Sequence, residues 1–278
     1  MNRRRRRVPA TLVAGAVLVG LVVVAALVSF VWTPHNAERV DVPIQFLPPG
    51  SRGYLLGTDQ LGRDMVSQLM VGARITLLVG IVTVALALVV GVPLGGLAAL
   101  YRPLEQVVMR ANDVLLAFPA LLLAMLFAAA FRASTLTSMV AIGIAFVPVF
   151  ARVVRGAGLQ VAAQDYVAAS RAFGAQGWWL FARHLLPNVL SLVIVQATVA
   201  FALAILAQAA LSYLGLGTPP PTPTWGGMLS QAQTYFTQDA WLALWPGAAI
   251  ALSVLGFNLL GDGLRDVLDP RLVERVAA

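Results

Sequence analysis

The chain contains no cysteine and no lysine. Without cysteine there is no disulfide, no thiolate nucleophile and no cysteine-based metal site. Without lysine it cannot supply the Gly-Lys-Ser/Thr end of a phosphate loop. If it works with ATP, another polypeptide binds the nucleotide. Charge is scarce as well: Asp, Glu, Lys and Arg make up 11% of the 278 residues, and all 19 basic residues are arginine. The two histidines, His35 and His184, fall in no His-Glu-x-x-His pattern, and no Gly-x-Ser-x-Gly is present. An intramembrane hydrolase therefore lacks its nucleophile or metal motif. What the chain has in abundance is apolar surface, at 59% hydrophobic residues, more than a soluble domain of this size carries. The net charge of +7 does not point to nucleic acid, because the arginines lie at the ends of apolar runs and in loops rather than on one basic face.

Arg3–Arg7 precede an uncharged run over 8–32. A membrane span needs ~20 apolar residues. The run is longer than the h-region of a signal peptide and ends at Ser29-Phe30-Val31-Trp32, a poor cleavage site. It reads as an uncleaved first helix with a cytoplasmic N-terminus. Residues 33–57, rich in Pro and Gly, read as an external loop. Leu61, Met65 and Leu69 recur every four residues, which predicts a short amphipathic interfacial helix over 59–70 capped by Thr58 or Asp59. Further spans are expected over 75–100, 114–131 (with Pro119), 133–151 (with Pro148), 189–211 and 241–260. Gly91 and Gly95, four apart, mark close helix packing in the second span, and Ala200 and Ala204 do so in the fifth. This is an all-α, polytopic membrane bundle of six helices. Its parts are an N-terminal helix, loop and interfacial helix (1–72), a five-span core (73–264) and a cytoplasmic tail (265–278).

Charge sets the orientation. With the N-terminus inside, Arg3–Arg7, Arg102, Arg110, Arg152, Arg155, Arg171, Arg183, Arg265, Arg271 and Arg275 fall inside. Arg39, Arg52, Arg63, Arg74 and Arg132 fall outside. That bias obeys the positive-inside rule, puts both termini in the cytoplasm, and leaves Trp225, Trp241 and Trp245 near the outer surface, where aromatic belts lie.

The cytoplasmic segment 155–188 holds a polar island, DYVAASRAFGAQGWWLFARHLLPN, over 165–188. A short helix over 166–173 stopped by Gly174 would present small side chains at Ala168, Ala169 and Ser170, and Pro187 suits the first turn of the next span. Ala168-Ala169-Ser170, then Gly174, then Leu186-Pro187 closely resembles the cytoplasmic loop of ABC importer permeases. Ala168 stands where that family often has Glu. Leu56-Gly57-Thr58-Asp59-Gln60-Leu61-Gly62-Arg63-Asp64 with Gly72-Ala73-Arg74-Ile75 resembles the stretch before the permease core in the dipeptide/oligopeptide/nickel branch. Leu211–Gly217 with Pro220–Gly226 resembles its external loop, and Asp262–Arg271 its tail. The resemblance implies the ABC type I importer permease fold. It further implies the second permease type of a peptide importer in a prokaryotic inner membrane. Such a subunit pairs with a homologous permease, two cytosolic ATPase domains carrying ATP and Mg, an external substrate-binding protein and a peptide substrate. Nickel and glutathione-like cargo are the alternatives within the branch. The resemblance marks an ATPase-docking loop of Asp165, Tyr166, Ala168, Ala169, Ser170, Arg171, Gly174, Ala175, Leu186 and Pro187.

Polar residues inside the spans are few: Thr83, Gln196, Thr198, Gln208, Ser253 and Asn258. Intramembrane polar groups are candidates for a translocation path, and Gln196, Gln208 and Asn258 are the ones singled out. Gln196 and Gln208 stand about 120° apart on a helix, so at most one faces a path. No span holds a central carboxylate, which disfavours an ion-coupled secondary transporter. Asp113 reads as an acid at a helix N-terminus.

Overall fold

A computed structural model describes residues 9–268, and these are helices and connecting loops with two isolated bridges, Ser51 to Tyr54 and Thr58 to Asp64. The arginine cluster at 3–7, and Arg271 and Arg275, lie outside the described residues. Among the described residues five helices are long and apolar enough to cross a membrane, and one bent pair brings the number to six if it counts as one span. Helix α1 (Ala10–Val28) is followed by a loop, then α2 (Met65–Leu100), α3 (Arg102–Leu116), α4 (Ala120–Phe131) and α5 (Thr135–Ala162). Next come the short helices α6 (Asp165–Ala172) and α7 (Gly177–Leu180), a π-turn over Phe181–Leu185, α8 (Leu186–Tyr213), α9 (Trp225–Tyr235) and α10 (Trp241–Leu268).

Glycines decide which helices touch, because in lipid close van der Waals approach replaces the hydrophobic drive between helices. A Cβ on Gly91 would lie 2.7 Å from the Val147 carbonyl oxygen, and one on Gly95 2.3 Å from that of Ala151. These backbones therefore meet with no room for a side chain. The contacts advance in the same direction along both helices, so α2 and α5 run parallel. The chain between them must then return across the bundle, and α3 and α4 carry it. On the other flank α1 lies antiparallel to α10, with Gly15 against Leu260 and Gly263 against Leu12. Phe201 of α8 fills the gap over Gly80 and stacks on Phe257 at 4.1 Å. Ala200 and Ala204 are buried in the same core.

Four expectations need correction. The third span is not one helix over 114–131: α3 and α4 meet at 85° across Ala117-Phe118-Pro119. Pro119 has no amide hydrogen and disfavours helical geometry in the residue before it. The separate interfacial helix over 59–70 is absent. Residues 58–64 form a turn closed by the Thr58–Asp64 bridge, and 65–70 are the first turns of α2. Its N-cap is Asp64, which accepts a hydrogen bond from the Ser67 amide at 3.0 Å, not Thr58 or Asp59. Asp113 sits in the last turn of α3 rather than at a helix start, and pairs with Arg152 at 2.6 Å. Trp225 is not in an interfacial belt: it is 3% exposed, lies on Gly72, and donates its indole N–H to the Leu69 carbonyl at 3.0 Å.

Candidate functional site

The polar island forms a compact ledge between the ends of α5 and α8. Asp165 opens α6 and Arg171 closes it, each complementing the helix dipole at its end. Val167 is fully buried and pins the helix, while Asp165, Tyr166, Ala168, Ala169 and Arg171 are exposed. Gly174 takes φ +87°, a left-handed conformation that an L side chain rarely adopts. The Ala175 amide donates to the Ser170 carbonyl and the Gly174 amide to that of Arg171, both at 3.0 Å. These two bonds form a Schellman stop. The sequence-derived helix and its glycine terminus thus match the observed α6 within one residue at each end.

His184 ties the ledge together. Its Nε2 lies 3.1 Å from the Ser170 hydroxyl, which also donates to the Tyr166 carbonyl at 2.9 Å. The Tyr166 and Trp179 rings stand 5.6 and 5.3 Å from the imidazole. Asn188 donates to the His184 carbonyl at 2.7 Å and to the Tyr166 hydroxyl at 3.3 Å. Beneath the ledge, Phe181 and Leu185 are buried, with Phe181 pressed on Gly96 of α2. Pro187 lies in the first turn of α8, where it has no amide to give the ladder; Leu186 beside it is half-buried.

Three aromatics that the sequence reading passed over are the most exposed apolar groups of the ledge. Phe173 is 92% exposed, Trp178 60% and Trp179 53%. Ser170, Phe173, Ala175, Gln176 and Trp179 line an open recess of about 810 Å³. Exposed aromatics around a concavity are the composition of a protein-docking surface. The signal was present in the sequence as a Trp-Trp pair inside a polar loop.

No hydrogen bond links Gln196, Gln208 and Asn258 to one another among the described residues. Gln208 is 1% exposed, its amide donating to the Ser212 hydroxyl at 3.1 Å and its carbonyl oxygen unpartnered. Gln196 is half-buried and Asn258 exposed.

At the opposite end a second polar assembly gives a physical reason for the Leu56–Asp64 motif. Asp59 accepts from the amides of Leu61 and Arg63, from Arg63 Nε at 2.7 Å and from Gln68 Nε2 at 3.0 Å. Arg63 continues to Gln231 of α9 at 2.7 Å, and Gln60 donates to the same oxygen at 2.8 Å. Gly62, at φ +74°, lies so near the Asp41 carbonyl that a Cβ would stand 1.9 Å from its oxygen. Turn, glycine and ion pair together fasten the loop to α9.

A family model described as binding-protein-dependent transport system inner membrane component matches residues 91–274. A Brucella suis protein named as a peptide transport system permease is 42% identical, over 98% of this chain and 90% of its own length. The di/tripeptide transport system permease protein DppC of Pseudomonas aeruginosa is 45% identical over 83% and 76%. The glutathione transport system permease protein GsiD of Pectobacterium atrosepticum is 39% identical over 92% and 87%.

Proposed function

The chain belongs to the family of binding-protein-dependent transport system inner membrane components, and from that premise we propose that it forms half of the translocation path of an ATP-driven importer of di- and oligopeptides. Its partners are a homologous permease, two cytosolic ATPase domains that hold ATP and Mg, and an external peptide-binding protein. It is a multi-pass membrane protein; the arginine bias supports both termini lying in the cytoplasm of a prokaryotic inner-membrane protein.

The observation that carries this reading is the ledge. Helix α6 offers an exposed face of small residues at Ala168 and Ala169 and a Schellman stop at Gly174; Phe173 and Trp179 line an open recess, and Trp178 is exposed as well. The docking loop proposed here is Asp165, Tyr166, Ala168, Ala169, Ser170, Arg171, Gly174, Ala175, Leu186 and Pro187. To these the exposed aromatics are added. Because α6 hangs between the end of α5 and the start of α8, a push on it moves both spans. Of the path candidates, Asn258 and Gln196 have access to space outside the subunit and remain in the proposal.

Nucleotide chemistry tests the assignment. The purified chain alone should neither photolabel with an ATP analogue nor hydrolyse ATP, and ATPase activity should appear on adding the partner chains and rise with peptide-loaded binding protein. Specific labelling of the isolated chain, competed by unlabelled ATP, would overturn it. The similarity to a glutathione permease favours a second reading within the same machine. Excess glutathione competing with labelled dipeptide for uptake separates the two cargoes.

A further inference from the structure

The bend at Pro119 sets α3 at 85° to α4, and α3 has one face apolar and the other charged. Between α3 and α5 is an open recess of about 650 Å³ with Arg102, Arg110, Arg152 and Arg155 on its walls. Two acids share it, and both are engaged: Asp113 with Arg152, and Glu105 with Arg155. Among the described residues neither Arg102 nor Arg110 has an ion-pair partner, so the recess carries an excess of two positive charges.

The placement of Arg110 is the informative detail. Val107, Arg110 and Val114 stand at i, i+3 and i+7, on one stripe of the helix. Val107 is 66% exposed and Val114 62%. An arginine set between two exposed valines, at the rim of a basic recess, presents a cation beside apolar surface. A water-soluble anion would match only the cation. A phospholipid matches both, with phosphate on the guanidinium groups and acyl chain along the valines. Basic recesses between membrane helices on the cytoplasmic side suit anionic headgroups.

We propose that the α3–α5 recess binds an anionic phospholipid of the inner leaflet, with Arg102 and Arg110 on the headgroup phosphate and Val107 and Val114 along an acyl chain. The proposal rests on the orientation in the functional reading above, which puts this recess at the cytoplasmic side. Lipid held there bridges α3 to the segment of α5 that runs into the docking ledge.

Native mass spectrometry of the assembled transporter, titrated with dioleoylphosphatidylglycerol and with dioleoylphosphatidylcholine, tests it. Wild type should retain phosphatidylglycerol on this chain in preference to phosphatidylcholine. Arg102→Gln with Arg110→Gln leaves both ion pairs intact, and should weaken phosphatidylglycerol about 25-fold, at about fivefold per arginine, with phosphatidylcholine unchanged. Unchanged phosphatidylglycerol affinity in the variant would overturn the site. So would absence of the adduct from the wild-type complex, as expected if the partner permease covers α3. Displacement by millimolar glycerol phosphate would show that a soluble anion suffices, and would overturn the lipid assignment. Neither uptake nor ATP hydrolysis is read, so failure here leaves the transport reading standing, and failure of that reading shows in its own ATPase measurement.

Discussion

Asp59 and Arg63 are 4% and 7% exposed, and each is satisfied by several partners at once. A buried pair of this kind adds little net stability as a pair, yet removing one member strands the other charge. Asp59→Ala should therefore cost about 3–5 kcal/mol, read as a large fall in apparent melting temperature in detergent. Asp59→Ala with Arg63→Met should cost clearly less than the two single losses added, because the stranded charge is gone. Strict additivity would show that the two side chains act separately. At this scale the sequence was informative at three glycines and silent at others that meet a backbone, such as Gly15 and Gly263. Gly91, Gly95 and Gly174 were readable from spacing and position. Asp59, by contrast, read as a helix cap, because a carboxylate ahead of a four-residue apolar repeat is the usual sign of one; the bond of its partner Arg63 to Gln231, 168 positions later, leaves no local trace.

Helix α6 is where an element's shape meets a testable consequence. Its termination needs φ +87° at Gly174, whereas proline is fixed near −65°. Gly174→Pro should break the Schellman stop. Ala169→Arg should put bulk on the exposed face without touching Val167, the buried anchor. Both variants should reach the membrane, and in the assembled transporter both should hydrolyse ATP without peptide uptake, or lose ATPase stimulation by loaded binding protein. Normal uptake by Ala169→Arg would show that this face does not dock. Most elements were legible in the sequence because a membrane imposes length and composition on a helix. The broken third span was not. An apolar run over 114–131 gives the same hydropathy whether straight or folded at Pro119, and the amphipathic character of α3 begins twelve residues earlier, in what read as a loop. The start of α2 was misplaced for the opposite reason. Leu61, Met65 and Leu69 keep helical spacing through a turn that the Gly62 conformation and the Thr58–Asp64 bridge make non-helical.

For the whole molecule, the orientation is the simplest property to challenge. The chain has no native cysteine, so single introduced cysteines report cleanly. A membrane-impermeant thiol reagent should label Thr237→Cys, at an exposed loop position between α9 and α10, in intact cells. It should label Arg171→Cys only after permeabilisation, and the reverse pattern would invert the molecule. The length of α2 bears on what lies beyond the bilayer. Its 36 residues span about 54 Å at 1.5 Å per residue, against a hydrocarbon layer of about 30 Å. Sinking all of it would demand a tilt near 56°, outside the usual 0–40°. One end must project, and Arg74, bound to the Ser29 carbonyl where α1 finishes, lies near the outer one. The nine residues ahead of Arg74 rise about 13 Å; they include Gln68 of the Asp59–Gln231 assembly and are packed against Trp225 of α9. A protein arriving at that face meets a raised platform before it meets the membrane, and can dock without displacing lipid.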